Sequence, residues 1–176
     1  KHILSLKDKT DMHPTILRFA TAFGLSPRMR FDLTVSEFTW ELAMGKKLLV
    51  YDAYTWRPYC HVKDFARLIQ KVIEAPKEKV SFEIFNAGGD VNNATKQMIV
   101  DLVLDRVPGG KVKYQEHGSD PRNYRVSFAK VKSILDFEPK YTIRDGIDEL
   151  IDAIQNKVFD DVEENRNFFG NYEINY

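Results

Sequence analysis

The sequence predicts an α/β fold in which short buried strands alternate with amphipathic helices. Three observations predict it. Apolar runs of strand length, such as Thr15-Ile-Leu-Arg-Phe-Ala-Thr21 and Phe82-Glu-Ile-Phe85, are rich in β-branched and aromatic residues. Between such runs lie longer segments whose apolar residues recur every three or four positions, the period of one helix face. Glycine and proline punctuate the junctions, at Gly45, at Pro76 and at Pro108-Gly109-Gly110. No internal repeat is present, and 176 residues suffice for one domain with a real core.

In chain order, Lys1 to Leu6 reads as helical, as though the sequence starts inside an element. Thr15–Thr21 is a buried strand running into the Phe23-Gly24 turn. A helix over 31–44 places Val35, Phe38 and Leu42 on one face, and Gly45 ends it. Leu48-Leu-Val-Tyr51 and Tyr59-Cys-His-Val62 are short strands, the second followed by Asp64 as an expected helix N-cap. The helix after it carries Phe65, Leu68, Ile69, Val72 and Ile73 on one stripe and closes at Pro76. Phe82–Phe85 is a strand that breaks at Asn86-Ala-Gly-Gly89. A helix follows over 95–107, then an alternating edge strand, Lys111–Gln115. Ser127 is expected to cap a short helix with Phe128, Val131 and Leu135 inward. Thr142-Ile-Arg-Asp145 has capping-box spacing and opens a helix carrying Ile147, Leu150, Ile151 and Ile154. The stretch after Phe159 turns acidic and then asparagine-rich, and is expected to be loosely held.

Composition narrows the function. Lys+Arg and Asp+Glu are both 26, so no global field draws the chain to nucleic acid or to a membrane surface. No apolar run approaches the ~20 residues that span a bilayer. The lone cysteine, Cys60, forms no internal disulfide, which fits a reducing, cytoplasmic setting.

The stretch Tyr51-Asp-Ala-Tyr-Thr-Trp-Arg-Pro-Tyr-Cys-His-Val-Lys-Asp64 holds the most specific chemistry. Its arginine, Arg57, is read in a loop flanked by aromatics. A guanidinium offers a planar fork of donors to phosphate oxygens, and aromatics shelter it from water. Asp120-Pro-Arg-Asn-Tyr-Arg125 supplies a candidate opposite jaw in Arg122, with Arg125 as neighbour or substitute. No glycine-rich phosphate loop and no obvious catalytic constellation appears. Cys60-His61 fails as a nucleophile–base pair, because successive strand residues point to opposite faces. His2, His13, His61 and His117 lack zinc-ligand spacing, and Asp101 with Asp105 reads as a solvated helix face.

The order of these motifs resembles the extended short-chain dehydrogenases/reductases, and within them the NAD-dependent nucleotide-sugar epimerases and dehydratases. Leu17-Arg-Phe-Ala-Thr-Ala-Phe-Gly24 with Ser26-Pro27 is similar to the family's strand and loop after its Tyr-x-x-x-Lys segment. Val50-Tyr51, Arg57, His61-Val62, Lys63-Asp64 and Ala66 reproduce its next strand, arginine and helix start. Phe85-Asn-Ala-Gly88 resembles its (Tyr/Phe)-Asn-x-Gly turn. Asp120-Pro-Arg-Asn-Tyr, Lys130 and Leu135-Asp-Phe-Glu-Pro139 resemble its C-terminal signature. The match runs from residue 1 to about 157.

The resemblance implies a substrate-binding portion with the last strands of a Rossmann sheet: 1–26 from the NAD-binding domain, 27–159 a substrate lobe, 160–176 a tail. It implies a nucleotide-diphosphate sugar as ligand and NAD as cofactor, held mainly by a half carrying Gly-x-x-Gly-x-x-Gly and Tyr-x-x-x-Lys. Neither motif is in this sequence, so no catalytic residue is assigned and the chain alone is expected to be inactive. Arg57, Arg122 and Arg125 are implied at the diphosphate, and Leu49, Val50 and Tyr51 at the base. Phe19 and Ala20 are implied at the nicotinamide and Thr21 at the sugar; many relatives have asparagine where Thr21 and Ala22 stand. Leu33 and Thr34 are weaker candidates at a helix start. Arg28 and Arg30 follow the strand, with surface solvation the alternative, and Asn86 is read as pinning a turn. The family commonly dimerises through a four-helix bundle, which allows a homodimer of the full-length protein. The rival reading is a non-catalytic module of the same fold that binds a nucleotide or a protein.

Overall fold

The computed structural model describes residues 2–118, 121–165 and 167–170. Lys1 and Asp120, which entered the sequence argument, lie outside the described residues, as does the end of the tail. The strands are β1 (Ile16–Phe19), β2 (Thr21–Phe23), β3 (Lys47–Tyr51), β4 (Trp56–His61), β5 (Ile84–Ala87), β6 (Asn93–Thr95) and β7 (Lys111–Gln115). The helices are α1 (Thr34–Ala43), α2 (Val62–Glu74), α3 (Lys77–Val80), α4 (Lys96–Leu104), α5 (Ala129–Leu135) and α6 (Ile143–Gln155), and a 3-10 turn covers Ile3–Leu6.

Three small sheets carry the architecture: β1 beside β5, β2 beside β4 and β6, and β3 beside β7. All pairs are parallel except β4–β6, where Arg57 sits opposite Ala94 and Pro58 opposite Asn93. Among the described residues β1 pairs with β5 alone, so its other edge carries no strand. The main core packs α1, α4 and α6 over β3 and β4 through Val35, Phe38, Leu42, Val50, Tyr59, Ile99, Val103 and Ile147. A second core gathers Leu68, Phe85, Phe128, Val131 and Phe137.

Several sequence readings change in detail. The single expected strand over 15–21 is two strands with different partners, split at Ala20. Arg57 lies inside β4 rather than in a loop, because the alternation Trp56-Arg-Pro-Tyr59 finds a partner in β6. Asp64 is not the cap of α2. That place is taken by His61, whose Nδ1 accepts from Lys63 N–H at 3.1 Å. Asp64 is instead fully buried, accepts from Lys140 and Tyr141 N–H at 3.0–3.1 Å, and pairs with Arg67. Ser127 does not cap α5 from the N-cap position, which Phe128 occupies without a side-chain cap, although its Oγ accepts from Ala129 N–H. The capping box of Thr142 and Asp145 is present as expected.

The segment after α6 is not loose where it is described. Phe159, Val162 and Phe169 are buried against Met29, Trp40 and Leu150, with Phe31 packed on the cluster. Phe31 N–H donates to Phe169 O at 2.8 Å, and Arg28 donates to Gly170 O at 3.1 Å. The acidic composition hid three apolar anchors spaced to reach back onto α1. α2 departs in the other direction: of its expected apolar stripe only Leu68 is buried, while Ile69 and Ile73 are 43% and 77% exposed.

Candidate functional site

β4 supplies the floor of the site. Strand alternation sends Tyr59 into the core, and Arg57 itself is only 8% exposed. A charge this buried needs its donors satisfied. Nη1 of Arg57 donates to Trp56 O at 2.7 Å, and the guanidinium lies 5.2 Å from the Tyr124 ring centroid. Arg125 reciprocates from the other side of the seam, its guanidinium 4.5 Å from the Trp56 ring centroid. Two cations and two rings thus interleave between β4 and the segment 121–126. Cation–π contacts hold the two guanidinium planes against the rings.

Arg122 is exposed and sits one residue before Asn123, whose Oδ1 accepts from Trp56 N–H at 2.9 Å. Tyr124 N–H donates to Trp56 O at 3.2 Å. Arg57, Arg125 and the segment bearing Arg122 are therefore brought to one seam. The Tyr59 hydroxyl is buried near Arg57 and Tyr124, next to Thr34 at the start of α1. Burial pushes its pKa up to about 12 despite the nearby Thr34 and Arg57, so it stays neutral.

Clefts open on both sides of the seam. One, of about 420 Å³, is lined by Arg18, Phe19, Ala20, Thr21, Asn86 and Tyr124 among others. It places Phe19, Ala20 and Thr21 beside the ring that covers Arg57. The other, also about 420 Å³, is lined by Asp52, Tyr54, Thr55, Glu116, His117 and Asn123 among others. Tyr51 borders that end, because a Cβ on Gly118 would stand 2.9 Å from its Cβ. Leu49 and Tyr51 are exposed on one face of β3, whereas the side chain of Val50 is wholly buried in the core. Val50, expected at the base, is 0% exposed as a whole residue and so presents no surface to a ligand.

The remaining candidates separate. Arg28 bonds Gly170 O, and Arg30 pairs with Asp32, which holds that carboxyl below its usual range. Asn86 donates to Ser127 O at 3.2 Å. Cys60 is fully buried, and burial pushes its thiol up to about 12. His61 Nε2 meets Glu149 at 3.0 Å; its ring stacks on Tyr141, a structural hub rather than a base. Trp56 and Tyr124 are side chains of the candidate site that sequence reading undervalued. Their signal was the alternation of aromatic and arginine in both segments, Trp56-Arg57 and Tyr124-Arg125.

Residues 1–88 match the family model described as the NAD dependent epimerase/dehydratase family. With half of its residues matched, the chain belongs to that family. A UDP-glucuronate 4-epimerase from Thermodesulfobacterium geofontis is 26% identical over 137 residues, which cover 76% of this chain and 40% of the relative. The chain thus spans about 40% of the length of that curated relative. In fold it is similar to the dTDP-glucose 4,6-dehydratase of Bacillus anthracis in complex with NAD (TM-score 0.74, 24% identity, covering 90% of this chain and 50% of that one). It is likewise similar to the UDP-glucuronic acid 4-epimerase of Bacillus cereus in complex with UDP-glucuronic acid and NAD (TM-score 0.74, 21% identity, 89% and 50%).

Proposed function

We propose that this chain is the substrate-gripping part of an NAD-dependent nucleotide-sugar epimerase or dehydratase. The observation that carries the reading is the buried Arg57, roofed by Tyr124 and faced by a segment that brings Arg122 and Arg125 to the same seam. Such a seam suits the two phosphates of a nucleoside diphosphate, with the sugar in the cleft of Phe19, Ala20 and Thr21 and the base toward Leu49 and Tyr51. Remote binding energy at the diphosphate then orients the sugar.

In this reading 1–26 belongs with an NAD-binding domain, 27–159 is the substrate lobe and 160–176 its tail. The open edge of β1 supports it, as does the apolar stripe of Phe19, Phe65, Ile69 and Ile73, where Phe19 and Phe65 rings lie 4.3 Å apart. An uncovered strand edge beside an apolar stripe is a surface that a further sheet and helix layer would bury. The residues present fit one end of NAD: the cleft offers Phe19, Ala20 and Phe128 as apolar walls and Thr21 and Asn86 as hydrogen-bonding groups for a nicotinamide edge. Bound there, NAD would accept a hydride from a sugar carbon and return it. This chain's own residues hold and orient the sugar and keep water from it. The chain by itself is inactive.

The test is product analysis of the full-length protein with UDP-glucose, UDP-glucuronic acid and dTDP-glucose. Conversion of a nucleotide sugar with enzyme-bound NAD is expected, and sugar 1-phosphates should not be converted. Binding of none of these, or equal turnover of sugar 1-phosphates, would sink the reading. Calorimetry of the isolated chain should show no NAD binding; micromolar affinity would contradict the division of labour.

A further inference from the structure

The segment 117–128 carries two arginines of the seam, yet it belongs to no helix or strand where described. Unladdered backbone is normally the least ordered part of a fold. Here a row of side chains takes the place of a partner strand. Asp52 accepts from His117 and Gly118 N–H at 2.8 and 2.7 Å. Asn123 Oδ1 accepts from Trp56 N–H at 2.9 Å. Asn93 makes both bonds to one residue: its Nδ2 donates to Val126 O at 2.9 Å, and its Oδ1 accepts from Val126 N–H at 3.1 Å. Asn86 and Asp90 continue the row to Ser127 O and Phe128 N–H.

The Asn93 contact is the most telling. A carboxamide carries the same donor and acceptor as a peptide unit, so a two-way bond to a single residue copies the hydrogen-bonded pair of an antiparallel ladder. Asn93 lies in β6 opposite Pro58, which has no N–H to offer. The Asn93 carboxamide, on a residue only 6% exposed, thus stands in for the peptide group of a further strand.

We propose that Asn93 and Asn123 are positioning residues, which hold the Pro121–Val126 segment in register against β4 and so deliver Arg122 and Arg125 to the anion seat of Arg57. The inference rests on the nucleotide-diphosphate reading above. Each asparagine acts through the arginines: Asn93 lies behind the segment, and Asn123, although it borders the cleft near Tyr51, has its Oδ1 engaged by Trp56 N–H. Misplacing a guanidinium fork by about 1 Å forfeits most of its bidentate geometry.

Two measurements on the full-length protein test it together, with UDP as the probe. Hydrogen exchange reads the pins directly, and calorimetric titration well below the unfolding temperature reads the clamp. In Asn93→Ala, and in the milder exposed-site variant Asn123→Ala, amides of 122–128 should exchange at least about tenfold faster with α4 unchanged. The UDP Kd should rise about tenfold. Asn123→Asp, which keeps the acceptor for Trp56 N–H, should restore both. A residue of merely structural importance would lower the melting temperature and leave the Kd of the folded protein alone. Unchanged exchange over 122–128, or faster exchange with unchanged UDP affinity, would overturn the proposal while Arg57→Ala still weakened binding. No UDP binding by the unsubstituted protein would overturn the nucleotide reading, and the positioning role with it.

Discussion

Replacing Asp64 separates two accounts of the same residue by magnitude alone. As a helix N-cap it would contribute about 1 kcal/mol, the usual cost of cutting a cap to alanine. Its surroundings give a larger figure. The carboxylate is fully buried, accepts from Lys140 and Tyr141 N–H at 3.0–3.1 Å, and pairs with Arg67, itself partly covered. Asp64→Ala strands two backbone donors and one guanidinium together, and breaking such a buried pair costs about 3–5 kcal/mol. For a chain of this size that corresponds to a melting temperature lower by about 6–20 °C. Asp64→Asn keeps one acceptor for the backbone donors but turns an NH2 toward Arg67, so about half the loss is expected. Urea unfolding of both variants, followed by far-UV circular dichroism, measures the difference. A loss near 1 kcal/mol for the alanine variant would refute the anchoring role and restore the simple cap.

Other expectations follow from the same contacts. Burial alone would raise the Glu149 carboxyl, but Lys63 and His61 together hold it below its usual value. A depressed folded value means the stabilisation is present above the unfolded pKa and lost as pH falls through the folded one. Glu149→Gln should therefore lower the melting temperature by about 2–4 °C at pH 7, and the gap should close below the ordinary carboxylate range; a gap independent of pH would refute the pairing. Phe169→Ala should cost about 3 kcal/mol by opening the cluster of Phe31, Trp40 and Phe159, read by Trp40 fluorescence and thermal unfolding; a silent substitution would mean the tail is not packed. Cys60, with its thiol pushed up to about 12 by burial, should resist thiol reagents until the protein unfolds, and fast labelling of folded protein would contradict its burial.

The elements that the sequence revealed best are those specified locally. α1 and α6 carry their periodicity and their stops or caps within a dozen residues, and both form nearly as read. What escaped was decided by distant partners. β6 and the inclusion of Arg57 in β4 depend on pairing between Trp56–Pro58 and Asn93–Thr95, which no local pattern announces. His61 became a cap and Asp64 an anchor because Glu149 and the 140–141 backbone arrive from α6 and its approach. The burial of Phe159, Val162 and Phe169 required a receiving surface on α1 that composition conceals. At the site, Arg57 stood out as an arginine among aromatics and Arg122 as the opposite jaw, with Arg125 only as its substitute. The interleaving of Trp56 and Tyr124 with Arg57 and Arg125, and the asparagine pins, exist only once residues 33 to 69 apart in sequence meet.

The central claim is that Arg57 is the seat for a nucleoside diphosphate. Charge-assisted hydrogen bonds contribute about 1.5–3 kcal/mol each, so losing one weakens binding by roughly 10- to 150-fold. The direct measurement is calorimetric titration of the full-length protein with UDP, comparing the unsubstituted chain with Arg57→Ala at matched ionic strength and folded fraction. The account predicts a Kd at least about tenfold higher for Arg57→Ala, with most of the enthalpy of binding lost. An unchanged Kd in a folded variant would remove Arg57 from the site and contradict the account.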